Sequence, residues 1–232
     1  DDRVRERIVA EARGNPLALL ELPRSVDQSQ LAGGFELPDV LSVPGRIEDS
    51  FQRRSSSLPS DTQMLLLVAA AEPTGDAVLL WRAAEHLEID HQAAEPAEEA
   101  ALLEIDTRVR FHHPLVRSAV YQAATPPDQR RAHAALATAT DPQLDPDRRA
   151  WHCAQAVQGT DEDVAADLEH SADRARARGG LAAAAAFLQH AAELTPEPAE
   201  RARRALEAAH AKHAAGASEA ALELLEFAAA GS

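Results

Sequence analysis

Superposing Gly180 on Gly216 brings Ala184 onto Ala220, Ala185 onto Ala221, Leu188 onto Leu224 and Ala192 onto Ala228, an internal repeat at an offset of 36 residues. A repeat of about this length, with small residues at helical spacing, marks stacked helix pairs: no pair buries its apolar face alone, and each is completed by its neighbour. This constrains the C-terminal part of the chain more than any other feature. The segments DRRAWHCAQAVQG, DEDVAADLEHSADRARARGG, LAAAAAFLQHAAEL, PEPAERARRALEAAHAKHAAG and ASEAALELLEFAAAG read as successive helices of tetratricopeptide-like hairpins. An Ala-rich helical bundle gives a weaker version of the same spacing and stands as the alternative. Stacks of this kind need about three repeats and a polar cap, so the array is expected to be incomplete at Ser232.

The rest of the 232-residue chain is also helical in composition, since Ala and Leu dominate and aromatics make up only 3 %, leaving little strand-forming material. A formal charge of -15 repels phosphate backbones, which disfavours direct nucleic-acid binding by this segment. The single Cys153 excludes an internal disulfide and a cysteine-based zinc site. Its place beside Trp151 on a helical pattern predicts a small core residue, and a reducing cytoplasm fits. No run reaches the roughly 18 apolar residues of a membrane span. The N-terminal DDRVRERIVAEA is charged and helical, unlike a signal peptide.

Four stretches follow from the punctuation. In residues 1–32, EARGNPLALLELP reads as helix, break, helix: Gly14 closes the first helix, Asn15 caps the second, and Pro16 sits in its first turn, where the missing N–H costs nothing. Residues 33–45, with Gly33, Gly34, Pro38 and Pro44, read as a linker. In residues 46–140, Pro59-Ser60-Asp61 opens a helix with Met64, Leu65, Val68 and Ala69 turned inward, and a second helix runs through Leu80 and Trp81. A helix-like stretch begins near Pro96. Leu103, Ile105, Val109 and Phe111 then alternate around Asp106-Thr107, a hairpin signal. A helix opened by Pro114, with His113 just outside it, and another from Pro127 to Ala139 complete the stretch. Helices followed by a small hairpin give the order of a winged helix, but without a basic recognition helix that fold does not carry a DNA-reading function. Residues 141–232 hold the repeats.

The chain lacks GxxxxGK[ST], GxSxG, HExxH and GxGxxG, so no catalytic motif is present and the segment is not expected to be an enzyme. His112-His113, and His210 with His213, match no metal-ligand spacing. His152, flanked by Trp151 and Cys153, reads as a core or interface histidine. DRARARGG and ERARRALEA alternate bases with acids or apolar residues and read as solvated helix faces with i,i+4 pairs.

The ordered set EARGNPLALLELP, LPDVLSVPGRIEDSFQRRSSSLPSDTQMLLLVAAAEPTGD, VRFHHPLVRSAVYQAATPPDQRRAHAALA, DRRAWHCAQAVQG and ADRARARGGLAAAAAFLQHAAELTP resembles the large ATP-binding regulators of the LuxR family, MalT-like STAND ATPases, over nearly the whole chain. The resemblance implies a mainly α architecture: the end of a helical lid, a winged-helix domain with a small β-hairpin, and superhelical tetratricopeptide-like repeats. It implies that the phosphate loop would lie upstream of Asp1 and the DNA-binding helix-turn-helix downstream of Ser232, making this a central fragment without tight ATP binding of its own. Gly14, Asn15 and Pro16 are similar to the Gly-x-Pro motif of the lid, whose proline packs on adenine. FHHPLVR is similar to the motif whose histidine contacts the ADP phosphate, which points to His113. In the parent, ADP would then hold a closed form, while ATP exchange and an inducer on the repeats favour an open, self-associating one. A free-standing helical-repeat adaptor for proteins or peptides is the alternative.

Overall fold

A computed structural model describes residues 43–72 and 74–230, which form eleven α-helices and one two-stranded antiparallel hairpin. The chain divides into two compact units: residues before Val78 with Ile89–Thr125, and Val78–Glu88 with the chain from Pro126 on.

In the first unit, α1 (Val43–Ser56) and α2 (Ser60–Ala71) both pack on the helix that follows the hairpin. Every residue of α2 from Leu65 to Ala71 is buried, while Met64 is half-buried. The stripe expected from sequence is therefore too narrow; α2 is apolar all round from its second turn, as a helix enclosed by its neighbours must be. Next in the chain is α3 (Ala77–His86), most of which belongs to the second unit. A 3-10 turn (His91–Ala94) leads into the short α4 (Glu95–Glu99). Strands β1 (Leu103–Ile105) and β2 (Val109–Phe111) pair Leu103 with Phe111, Glu104 with Arg110 and Ile105 with Val109, the hairpin the alternation predicts.

The turn before α3 is bound to this hairpin. Val109 N–H donates to the Gly75 carbonyl at 2.9 Å, and Asp76 forms a bridge with Arg108. The Glu72 carboxylate, 4 % exposed, accepts from the Thr74 hydroxyl at 2.9 Å and from the Gly75 and Asp76 amides at 2.7 and 3.2 Å. One buried side chain thus takes up the donors of the turn that docks the hairpin. Helix α5 (Pro114–Ala123) follows β2.

The second unit continues with α6 (Pro126–Ala139), α7 (Pro146–Ala156), α8 (Glu162–Ala177), α9 (Leu181–Leu194), α10 (Pro198–Ala214) and α11 (Ser218–Ala230), each packed on the next. Carboxylate caps start three of them: Asp145 accepts from Arg148 N–H, Asp161 from Val164 N–H and Glu197 from Glu200 N–H. Loss of such a cap costs about 1 kcal/mol. Asp161→Ala is expected to lower the stability of the chain by that amount in urea denaturation, with Asp161→Asn close to wild type.

Of the pairs aligned at the 36-residue offset, two are buried together, whereas Ala220 and Ala228 are half-buried where Ala184 and Ala192 are fully buried. Ala185 with Ala221, and Leu188 with Leu224, are buried in one cluster with Ala208 and Ala209, where small side chains line the contact between helices. The turns are displaced by one residue from this register. The glycines held in the left-handed region are Gly179 and Gly216, at φ of +80° and +85°, whereas Gly180 has a negative φ and caps α9. Gly180 and Gly216 thus align by sequence but do different work: one starts a helix, and the other leaves one.

Candidate functional site

His113 is the sequence-derived candidate that falls in the described residues; Gly14, Asn15 and Pro16 lie outside them. The ring is fixed from two sides. Its Nδ1 accepts a hydrogen bond from Leu115 N–H at 3.0 Å, which makes His113 the N-cap of α5. It also lies nearly parallel to the Phe51 ring of α1, with 13° between planes and 6.1 Å between centroids. Phe51 is itself 2 % exposed, and the Arg54 guanidinium stands 5.6 Å over its face and donates to the Ala100 carbonyl. Arg117 of α5 donates to the Ala70 carbonyl at the end of α2, at 2.8 Å.

This geometry sets what His113 can do. An Nδ1 that accepts must be unprotonated, so the neutral ring carries its proton on Nε2 and that nitrogen is a donor. The backbone at the start of α5 offers less than a helix terminus ordinarily does. Pro114 has no N–H, Leu115 N–H is held by the ring, and Val116 N–H is bonded to the His113 carbonyl at 3.0 Å. An anion at this end of α5 would therefore meet the imidazole more than the amides of the first turn.

A second group of histidines lies in the other unit. His133 of α6 and His152 of α7 are 3 % and 0 % exposed, and their Nδ1 atoms are 2.9 Å apart. His152 is a core histidine, as the sequence predicts, but its pairing with His133 was not legible: the two are 19 positions apart on different helices. The signal in the sequence was partial: His133 falls in helical register with the buried Leu136 and Thr140, whereas the other buried residues of α7, Ala150 and Ala154, stand two positions either side of His152 and mark no shared face. Cys153, expected in the core, is half-buried, and burial raises its thiol pKa, with Asp167 and Asp161 adding to the effect against Arg149. A raised pKa keeps it a thiol, so it has no reactive thiolate character.

The arginine-rich segments are not merely solvated faces. Arg204 of α10 is 4 % exposed and reaches back to α8: its Nη1 and Nη2 form a two-pronged contact with the Glu162 carboxylate at 3.0 and 2.7 Å, and its Nε donates to Glu169 at 2.8 Å. Nη1 also donates to the Thr195 hydroxyl at 2.7 Å, which in turn donates to the Ala191 carbonyl. Arg203 does make the expected exposed pair with Glu207, and it adds Glu200 and Glu169. Arg174 and Arg178 of the other segment converge on Asp147 of α7, at 2.7 and 2.6 Å. Periodicity along one helix cannot show pairings that depend on which helix lies alongside.

Beside this last pairing, Pro142, Pro146, Arg149, Asp167, His170 and Arg174 line an open cleft of about 240 Å³. Among the described residues, no three His, Cys, Asp or Glu side chains are grouped to hold a metal ion, and no helix is long and apolar enough to cross a membrane. Comparison with protein-family models, curated proteins and solved structures gave no match for this chain.

Proposed function

We propose that the chain is a regulatory segment of an ATP-dependent transcriptional regulator of the LuxR-family, STAND-ATPase type. In this reading it works in the cytoplasm, linking the nucleotide state sensed at Pro16 and His113 to effector binding and self-association on tetratricopeptide-like repeats. The helices around the β-hairpin serve as the winged-helix part, and α7 to α11 as repeats. The nucleotide-binding core and the DNA-reading helix-turn-helix are contributed by other sequence of the parent.

The observation that carries this reading is the state of His113. Its Nδ1 is committed to Leu115 N–H and its plane is set against Phe51, so the neutral ring is an oriented Nε2–H donor. A preoriented donor is what a bound phosphate oxygen requires. Pro16 would supply a flat apolar surface without an N–H.

The test uses a polypeptide extended upstream of Asp1 through its nucleotide-binding core. His113→Ala is expected to weaken ADP binding about 10- to 100-fold, the loss of one charge-assisted hydrogen bond of about 1.5–3 kcal/mol. His113→Asn, which can still cap α5, separates the cap from the phosphate contact: ADP affinity should fall while thermal stability stays near wild type. Unchanged ADP affinity and self-association in both variants and in Pro16→Ala would overturn the reading. Leu222 and Leu225 of α11, 62 % and 41 % exposed, favour a second reading, a helical-repeat adaptor that binds a protein or peptide. That reading gains if the nucleotide effects are absent.

A further inference from the structure

The least expected feature of the second unit is a pair of buried imidazoles, 3 % and 0 % exposed, facing each other across two helices. Two Nδ1 atoms at 2.9 Å cannot both carry protons, nor can both be bare without repulsion, so one donates to the other. His152 decides which. Its Nε2 is buried and has no hydrogen-bond partner. A buried N–H without an acceptor is the rarer and costlier state, and a bare lone pair the cheaper one. The proton of His152 therefore sits on Nδ1 and is donated to His133 Nδ1, which places the proton of His133 on its own Nε2.

We propose that this pair is an acid-sensitive latch on the seam between α6 and α7, closed while both rings are neutral and released when the pair takes up protons. The first proton has one bare nitrogen to occupy, Nε2 of His152, and creates a charge in a ring with no exposure. The second makes both Nδ1 atoms donors across 2.9 Å, which ends the hydrogen bond. The pair titrates as a unit.

The surroundings oppose the charged state. Arg148 of α7 is the charged group that bears on His152, and it repels a second positive charge; for His133 the corresponding group is His152 itself. Arg148 is itself paired with the Asp145 cap of α7 at 2.8 Å, and Asp147 of α7 with Arg174 and Arg178 of α8 and the turn after it. Arg149 of α7 faces Asp167 of α8 at 3.9 Å, Arg82 of α3 bears on Asp141 in the α6–α7 loop, and His190 of α9 meets Trp151 edge-on. Burial above all, then the neighbouring ring, pushes His133 down to about 4, and burial with Arg148 does the same to His152.

The sign follows from linkage. A histidine whose folded pKa lies below its unfolded value binds more protons when released, so the latch is fully closed above the unfolded value of about 6.5 and weakens as pH falls towards about 4. Below that the loss is complete. The opening constant should rise up to about tenfold per pH unit for each proton taken up in this window, and up to about a hundredfold per unit where both are.

The experiment is amide hydrogen exchange on the intact chain between pH 7 and 4, corrected for intrinsic exchange rates, with the double variant His133→Leu/His152→Leu as reference. The expected result is a loss of protection in α6 and α7 of wild type that begins near pH 6.5 and is missing from the variant. An identical pH dependence in the two proteins overturns the latch. Should the double variant not fold, ring titration by NMR in wild type decides. Apparent pKa values well below 6.5 for both rings, with Nδ1 of His152 protonated, support the proposal; ordinary titration near 6.5 of either ring overturns it.

Discussion

Arg204→Ala is expected to destabilise the chain by about 3–5 kcal/mol, because it removes a buried cation that ties α8, α10 and the residue after α9 together. The guanidinium is 4 % exposed and meets Glu162, Glu169 and the Thr195 hydroxyl. Burial opposes its charge, and the two carboxylates overcome that opposition and hold its pKa above the ordinary value. Truncation to Ala leaves Glu169, which is one-quarter exposed, without one of its two partners, and deprives Thr195 of a donor. The loss therefore exceeds what the ion pair contributes relative to an apolar core. A direct check is the urea midpoint of Arg204→Ala against that of Arg204→Met with Glu162→Gln and Glu169→Gln. The triple variant, which has no orphaned charge, should recover most of the stability. If Arg204→Ala alone unfolds within about 1 kcal/mol of wild type, the cluster is a surface ornament and not a tie.

The same cluster gives a second acid transition, distinct from that of the histidines. Hydrogen bonds from Arg203 first, and from Arg204 after the opposing effect of burial, hold the Glu169 carboxyl below its usual value of 4.5. A depressed carboxylate contributes stability that is present above the unfolded pKa and lost as pH falls through the folded one. Glu169 therefore acts below about 4.5, at the acid end of the window from about 6.5 to about 4 over which the histidine pair loses its contribution. Acid unfolding of wild type should be biphasic, with the His133→Leu/His152→Leu variant retaining only the lower phase.

What could be read from the sequence was what one element decides by itself. The hairpin at Leu103–Ile105 and Val109–Phe111, the Pro114 start of α5 and the helices from Pro146 on follow from local alternation, local capping or a 3.6-residue period. What could not be read depends on the spacing between elements. His133 against His152, Arg204 against Glu162, and Arg174 with Arg178 against Asp147 each join different helices, and no local pattern encodes which side chain lies opposite. His113 stands between these cases. Its position just outside the helix opened by Pro114 was legible in the sequence, but the Phe51 ring beside it comes from α1, 62 positions earlier, and only the fold brings them together. The one-residue slip between Gly179 and Gly216 has the same origin: the repeated faces set the alignment, while the turns are fixed locally by where each helix ends.

Gly75→Ala should be nearly as disruptive as the loss of Arg204, and for a reason confined to the backbone. The residue has φ of +69°, where an L side chain is strained, and a Cβ built there would stand 2.6 Å from the Val109 carbonyl oxygen. Neither partner can give way cheaply. The carbonyl belongs to β2, which is held in register against β1, and the Gly75 amide is fixed to the Glu72 carboxylate at 2.7 Å. Relief requires the turn to leave the hairpin, with loss of the Val109 to Gly75 hydrogen bond and the Asp76–Arg108 bridge. Strain at φ and overpacking each cost roughly 1–3 kcal/mol, so the sum is roughly 2–6 kcal/mol. The same substitution at Gly159, with φ of +90° and nothing within 4 Å of its added Cβ, carries the strain without the clash and is the internal control. Thermal denaturation of the two variants therefore separates the terms: Gly75→Ala should lose clearly more than Gly159→Ala. Equal losses would mean that the hairpin follows the turn, and that the close approach of Gly75 to Val109 does not hold the first unit together.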